Sequence, residues 1–555
     1  MSAQQYYNSQ QQPSQDYQPP YNPQYNNAYP QGPPPPQGQN DGNWGMKPPQ
    51  SYAPPPNPPP PGNGEYGGNP YGDTAPFSQA TEKTGERFKP RKRLNDPIFL
   101  ILFIANLAGF AVLSGIAIKS FIDVNGLGGG FGDATQGGTG SSITLDYHTV
   151  YLLLCVCGLA LAVAIMWLGM VRAFTKIIME ITLALTVLLN IGICIYYYII
   201  GYWSGAIIFT VIALLSVFFY WTMRKRIPLA RLLLQTTIDI TKHHPSVYLV
   251  VFLGLILQTA ISVWYAFTCI AIYVKWTPDS PACANSGSCS SSKVAGLIFY
   301  ATFAYYWITQ VVANVILATL AGGIFGGWYY FGPRNANSGL PKRATLKAFV
   351  RSSTLSLGSI AFGSLIVTIL ELVRLLMQAV QQYQAAEGDM IGAILACCAV
   401  CCISCISGLI QWFNKYAYIE IALYGKSYIP AAKDTWRLMK DRGIDALIND
   451  SIVGSVLMWG GYLNGFLCGL FAYLYLRFTS PSYNSNGQYT APLVFFGFWI
   501  GIMVNSIVSG ALDAGVSTIF VGLGEDPMVL RDRSPGLFEL IRQQYPRVVQ
   551  GVPHY

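Results

Sequence analysis

Ten apolar stretches punctuate the chain between residues 98 and 520, at 98–118, 150–171, 177–200, 206–221, 246–274, 294–325, 352–377, 391–410, 452–476 and 493–520. Each reads as a helix long enough to cross a bilayer. The gaps between them fall into two alternating sets. One set holds Lys119, Lys275 and Lys293; Arg374 and Arg477 lie in or at the end of a stretch, and the remaining 29 of the 34 Lys and Arg residues lie in the other set. Positive charge is retained on the cytoplasmic side during insertion, so the alternation fixes an orientation as well as a class. The pattern predicts an all-α polytopic membrane protein with ten transmembrane helices and both termini in the cytosol. Its three parts are a cytosolic tail over residues 1–95, a membrane domain over 96–521 and a short charged cytosolic tail over 522–555.

The connecting segments differ in kind. Residues 1–95 are rich in Tyr, Gln, Asn, Pro and Gly, with runs such as PPPNPPPP, and lack the aliphatic residues needed to offset ordering entropy, so disorder is expected there. The PxxP stretches are candidate ligands for cytosolic domains with aromatic grooves. The outer loop GLGGGFGDATQGGTG after the first span lacks the Gly-Lys-Ser/Thr ending of a phosphate-binding loop and reads as a linker. Residues 172–176 form a tight inner turn between spans two and three. Two inner connectors have amphipathic character: residues 227–245 are predicted to lie as a short helix in the interface, and residues 414–450 alternate Lys and Arg with Tyr, Trp, Leu and Met. The start, MSAQQYYNSQQQ, has no charged region followed by an apolar core, so the first span is expected to act as the insertion signal.

Composition narrows the function. The chain is 52% hydrophobic and 11% charged, against roughly 25% charged in an ordinary soluble domain. The net charge of +8 is spread over several inner loops and accompanies no nucleic-acid motif; it reads as contact with anionic inner-leaflet lipid. There is no His-Glu metal box, nucleophile elbow or nucleotide loop, so no catalytic residue, metal or cofactor is expected and the protein is not predicted to be an enzyme. The adjacent His243 and His244 cannot share one helix face and read as the polar end of a helix. In the run CCAVCCISC, Cys397, Cys401 and Cys405 share a face without a His; apolar filling is expected, with palmitoylation the alternative for inner-end thiols. Cys283 and Cys289, six apart in an outer loop, are predicted to form a disulfide, the alternative being two free thiols.

Charges inside spans are the candidate transport residues, because placing them in hydrocarbon is costly. Glu371 and Arg374 stand at i and i+3 on one face of span seven, either as a self-neutralising packing pair or as a gate. Asp513 in SGALDAGVSTIF has no partner in its own helix, and either lines a polar cavity or closes a packing contact. Tyr305, Tyr306, Trp307, Trp459 and Tyr462 lie deep enough for their ring faces to cage a quaternary ammonium, against the plainer reading of belt or core packing. Glycines at 322–323, 326–327, 358, 363, 460–461 and 465 permit close helix crossing.

Three stretches give the carboxyl-terminal half a resemblance to the choline transporter-like family. They are YYWITQVVANVILATLAGGIFGGWYYF at 305–331, RSSTLSLGSIAFGSLIV at 351–367 with its Arg and two Gly-Ser pairs, and NKYAYIEIALYGKSYIPAAKDTWRLM at 414–439 with its Tyr-Gly-Lys. STIFVGLGEDP at 517–527 adds a fourth. With the tail of Tyr, Gln and Pro, the chain looks most like the fungal pH-nine-sensitive branch. Two positions depart from many animal members: Ser356 stands where they carry His, and Ser517 where they carry Asp. The resemblance implies a plasma-membrane carrier of a small, choline-like cationic solute. The alternative is a non-transporting membrane scaffold or lipid-organising protein.

Overall fold

The computed structural model describes residues 93–125, 147–276, 290–332, 339–388, 390–479 and 490–544, and every regular element among them is helical. The long helices are α1 (Pro97–Asn125), α2 (Tyr147–Ile199), α3 (Trp203–Arg224), α5 (Ser246–Trp276), α6 (Ser291–Leu320), α9 (Leu357–Ala386), α10 (Met390–Tyr424), α11 (Tyr428–Thr479) and α12 (Thr490–Glu525). Shorter ones are α4 (Ile227–His243), α7 (Gly326–Phe331), α8 (Ala344–Ser353), α13 (Pro527–Arg533) and α14 (Pro535–Gln544), with a π-helical turn, Ala321–Phe325, joining α6 to α7. Among the described residues, nine helices are long and apolar enough to cross a membrane. The predicted tail, apart from its last three positions, and the Cys283–Cys289 pair lie outside the described residues.

The tenth predicted span is folded into α2. That helix has 53 residues, about 80 Å if straight and far more than a bilayer core. It breaks at Phe174, where φ is −119° and ψ 34°. The two halves then meet the same stretch of α11: Thr186 accepts the indole N–H of Trp459 at 2.9 Å, while the Trp167 ring packs onto Gly460. A straight helix holds Trp167 and Thr186 roughly 28 Å apart, so the chain must bend sharply between them. Arg172 at the bend makes a two-pronged pair with Asp239 of α4, at 2.6 and 2.9 Å. This anchors the turn to the connector.

The Lys- and Arg-rich gaps share one end of the bundle. Asn95, before α1, donates to the carbonyls of Gly425 and Lys426 between α10 and α11. Arg533 of α13 reaches the carbonyl of Phe331, and Ser246 at the start of α5 meets Thr345 of α8. At the other end Lys275 donates to the carbonyl of Ile116 and stacks on Trp276. Asp96 ties the basic end together. Its left-handed backbone (φ 48°) starts α1 ahead of Pro97, and its carboxylate accepts the first N–H of α11, Tyr428, at 2.9 Å and the Ser359 hydroxyl at 2.6 Å. A carboxylate at a helix N-terminus meets both unpaired N–H groups and the positive end of the helix dipole.

The connector 227–245 does form a short helix, α4; Ile227, Leu229, Leu233, Leu234, Ile238 and Ile240 are all buried, and the helix packs against α2, α11 and α12. Two expectations need correction. Residues 414–424 are not a cytosolic amphipathic stretch but the continuation of the eighth span to Tyr424, with Tyr416, Tyr418, Ile419 and Ile421 buried. Cys397, Cys401 and Cys405 are exposed on the outer surface of the bundle instead of filling its core. The glycines, by contrast, do mediate close packing. A Cβ on Gly358 would fall 2.5 Å or less from the backbone oxygens of Asn95 and Asp96. Asp96→Ala is expected to lower stability by about 1–2 kcal/mol through the lost cap. Thermal unfolding of the purified protein should show a reduced midpoint, with Asp96→Asn, which keeps an acceptor, falling less.

Candidate functional site

A cavity of about 280 Å³ opens between α5, α6, α9, α10 and α12. Its wall includes Val251, Gln310, Asn314, Leu317, Val367, Gln411, Asn414, Lys415, Tyr418, Gly510 and Asp513. Val251 and Val367 stand five and ten residues from the starts of α5 and α9, roughly 8 and 15 Å, so the cavity lies toward the basic end of the bundle. The volume suits a small solute, at the low end of the roughly 300–1,000 Å³ typical of ligand pockets.

The charge in this wall comes from three helices. Lys415 of α10 sends its ammonium to Asp450 Oδ2 on α11 at 2.8 Å, and to Asp513 on α12 at 3.2 Å (Oδ1) and 3.5 Å (Oδ2). Asp450 is held hard. Its Oδ2 also accepts the Trp412 indole N–H at 2.9 Å and the Tyr416 hydroxyl at 3.0 Å, and its side chain is 10% exposed. Asp513 is 41% exposed and faces the cavity. Two carboxylates against one ammonium leave a formal charge of −1, which favours a cation in a low-dielectric wall.

Glu371 and Arg374 form the i,i+3 pair that their spacing predicts, at 2.6 Å. Glu371 is buried and also reaches across to α10, accepting from Ser407 at 2.8 Å and Gln411 at 3.2 Å. Gln411 lines the cavity, so the pair buttresses its wall without lining it. The five predicted aromatics are not among the lining residues. Tyr305 stacks on Tyr265 and bonds Ser262 at 3.0 Å, with Tyr306 edge-on to it. Trp307 is buried against Phe103 with its N–H on the Ala361 carbonyl. Trp459 and Tyr462 pair edge-on along α11, Trp459 bonded to α2. Trp459 also lines a separate apolar groove with Leu185, Leu189 and Tyr196, so the five do not converge on one cavity.

The sequence reading missed Lys415, Asp450, Gln310, Asn314 and Asn414. Lys415 was assigned to the inner loop because a Lys after a span normally marks its exit. The signal against this was the apolar continuation AYIEIALY on its far side.

Beneath the cavity, the quasi-repeated glycines and aromatics make a closure. The π turn frees backbone carbonyls that α-helix would pair, and Arg351 of α8 takes that of Gly322 at 3.2 Å together with that of Ala422 at 2.7 Å. Burial lowers the Arg351 pKa from its usual value. Gly425 ends α10 in the left-handed region (φ 67°), where a side chain is disfavoured. Tyr428 then donates to Asn414 Oδ1 at 2.7 Å, linking the start of α11 to the cavity wall. Tyr330 bonds Tyr424 at 2.6 Å and Asp526 at 2.9 Å. Lys426 bridges Glu420, whose side chain is fully buried, at 3.1 Å and Asp434 at 2.6 Å.

A polytopic helical bundle with a charged cavity between its helices is compatible with a transporter-type membrane protein. The chain belongs to the choline transporter-like family: the family model described as plasma-membrane choline transporter matches residues 207–528, which include every residue of the cavity wall. Among its relatives, Protein PNS1 of Cryptococcus neoformans is 71% identical over 513 residues, covering 92% of each chain. Protein PNS1 of Mycosarcoma maydis is 46% identical over 475 residues (85% of this chain, 87% of the relative), and that of Neurospora crassa 41% over 535 residues (92% and 93%). The chain thus stands in the fungal branch that its sequence resembles.

Burial works against the Lys426 ammonium, but Glu420 and Asp434 outweigh it and hold its pKa above the usual 10.5. With the folded value raised, its stabilisation is complete below pH 10.5 and is lost only as pH rises through the higher folded value. Lys426→Met, which strands Glu420, is expected to destabilise by about 3–5 kcal/mol. The difference in unfolding free energy from wild type, measured at one fixed pH near neutrality, checks this.

Proposed function

We propose that the protein carries a small, choline-like cationic solute across the plasma membrane by alternating access, and that it is a carrier and not an enzyme. The observation that carries this reading is Asp513: a carboxylate within a candidate membrane span, open to a cavity and only partly neutralised by an ammonium shared with Asp450. A solute of charge +1 brings that wall to neutrality, while the surrounding amides of Gln310, Asn314, Gln411 and Asn414 offer polar contacts. The apolar remainder suits alkyl groups on the cation. Alternating access then requires the closure around Tyr428, Lys426 and Arg351 to loosen at the basic end. On the charge pattern that end faces the cytosol, with both termini there and the basic connectors against anionic lipid. The family description supports the plasma membrane as its location.

Purified protein in liposomes should accumulate labelled choline, ethanolamine or a related monovalent cation. Asp513→Asn should cut uptake at least about tenfold, equivalent to about 1.4 kcal/mol of lost stabilisation. Absence of uptake over a broad panel of cations would favour the scaffold reading. Unchanged affinity in Asp513→Asn would remove that residue from the site.

A further inference from the structure

We propose that Lys415 is a tethered stand-in for the transported cation: it occupies Asp513 when the carrier is empty and withdraws fully onto Asp450 when solute arrives. This rests on the cation-carrier reading of the cavity and adds a mechanism for the return of the empty carrier.

Four features of the site carry the inference. The ammonium is held unequally, at 2.8 Å to Asp450 but at 3.2 and 3.5 Å to the two oxygens of Asp513, so Asp513 is the looser partner. Asp450 has a second seat prepared: its Oδ1 is buried and has no hydrogen-bond partner among the described residues. Trp412 and Tyr416 fix the Asp450 carboxylate through its other oxygen, so the ammonium moves and the carboxylate stays. Asp513, by contrast, is the exposed member, and Gly510 on the same face of α12 leaves room beside it in the cavity.

The charge balance gives the exchange its direction. Without solute the three groups sum to −1; with a monovalent cation they sum to zero, and Lys415 gains a hydrogen bond at Asp450 Oδ1 for the two longer ones it yields at Asp513. No carboxylate is left bare in either state, which matters because an unpaired ion at this depth is strongly disfavoured. The empty carrier therefore reorients with its own lysine in place and needs no second cation for the return. Lys415 also competes with solute for Asp513, so it holds affinity below what the bare carboxylate would give. A monovalent organic cation fits this balance; a divalent one overshoots it.

The test uses full-length protein in liposomes with labelled choline as the probe, comparing net uptake into choline-free vesicles with exchange into choline-loaded ones. Wild type should support both. Lys415→Met should bind choline at least about tenfold tighter and lose net uptake at least about tenfold, while exchange remains measurable, because the empty carrier now returns only with a bound cation. Lys415→Met with Asp450→Asn removes the buried pair together and leaves Asp513 alone; it should repeat this pattern where the single variant folds poorly. Asp450→Asn alone should act oppositely and weaken choline binding, since Lys415 then has only Asp513. A purely structural lysine would lower net uptake and exchange in parallel, and that result, or unchanged or weaker choline binding in both Lys415 variants, overturns the inference while leaving the carrier reading intact. A folded wild type that neither binds nor carries choline, whose Asp513→Asn variant is also inert with every other cation, removes both.

Discussion

An ammonium group buried in a membrane-spanning bundle must find its countercharge inside the protein, and Lys415 finds it on two different helices. Desolvating three ions costs several kcal/mol each, so the arrangement persists only with good geometry and further hydrogen bonds. Trp412 and Tyr416 supply those bonds for Asp450, from the same turns of α10 that carry the lysine. Small residues beside Asp513 let α12 come close: a Cβ on Gly515 would press on Phe325 and Thr237. The ion triad therefore fixes the relative placement of α10, α11 and α12, and its imbalance of one negative charge leaves that scaffold with a chemical preference.

The scaffold around the triad is built from the four stretches that carry the family resemblance. Arg351, from the second, clasps carbonyls of Gly322 from the first and Ala422 from the third. Ser364 of the second accepts from Asn314 of the first at 2.9 Å, and Asn414 of the third donates to the Gly363 carbonyl at 3.2 Å. Asp526, in the fourth, receives the Tyr330 hydroxyl of the first. Segments distant in sequence thus form one continuous floor beneath the cavity. Asp96 joins that floor to α1, so the junction with the long amino-terminal tail bears directly on the start of α11 and, through Tyr428 and Asn414, on the cavity wall.

The crossings were legible in the sequence because hydrocarbon leaves little choice: apolar length and alternating positive charge answer to the bilayer itself. The Glu371–Arg374 pair was legible for a similar reason, since i,i+3 spacing is local. What could not be read were relations between helices. Ser407 and Gln411, which hold Glu371, lie on another span, and Asp450 reaches Lys415 from a third. A lysine neutralised at a distance looks, in one dimension, like the end of a span, and this is why α10 was ended too early. The aromatic residues leave both of their readings open for the converse reason. Depth is readable from position, but Trp307 and Trp459 commit their indole N–H groups to Ala361 and Thr186, contacts that nothing in the local pattern announces.

A high-resolution experimental structure with choline bound shows whether solute and Lys415 exchange places at Asp513. If they do, Lys415 Nζ lies within about 3.2 Å of both Asp450 oxygens, with Asp513 turned to the choline nitrogen. Choline bound away from Asp513, with Lys415 still bridging both carboxylates, would contradict the exchange.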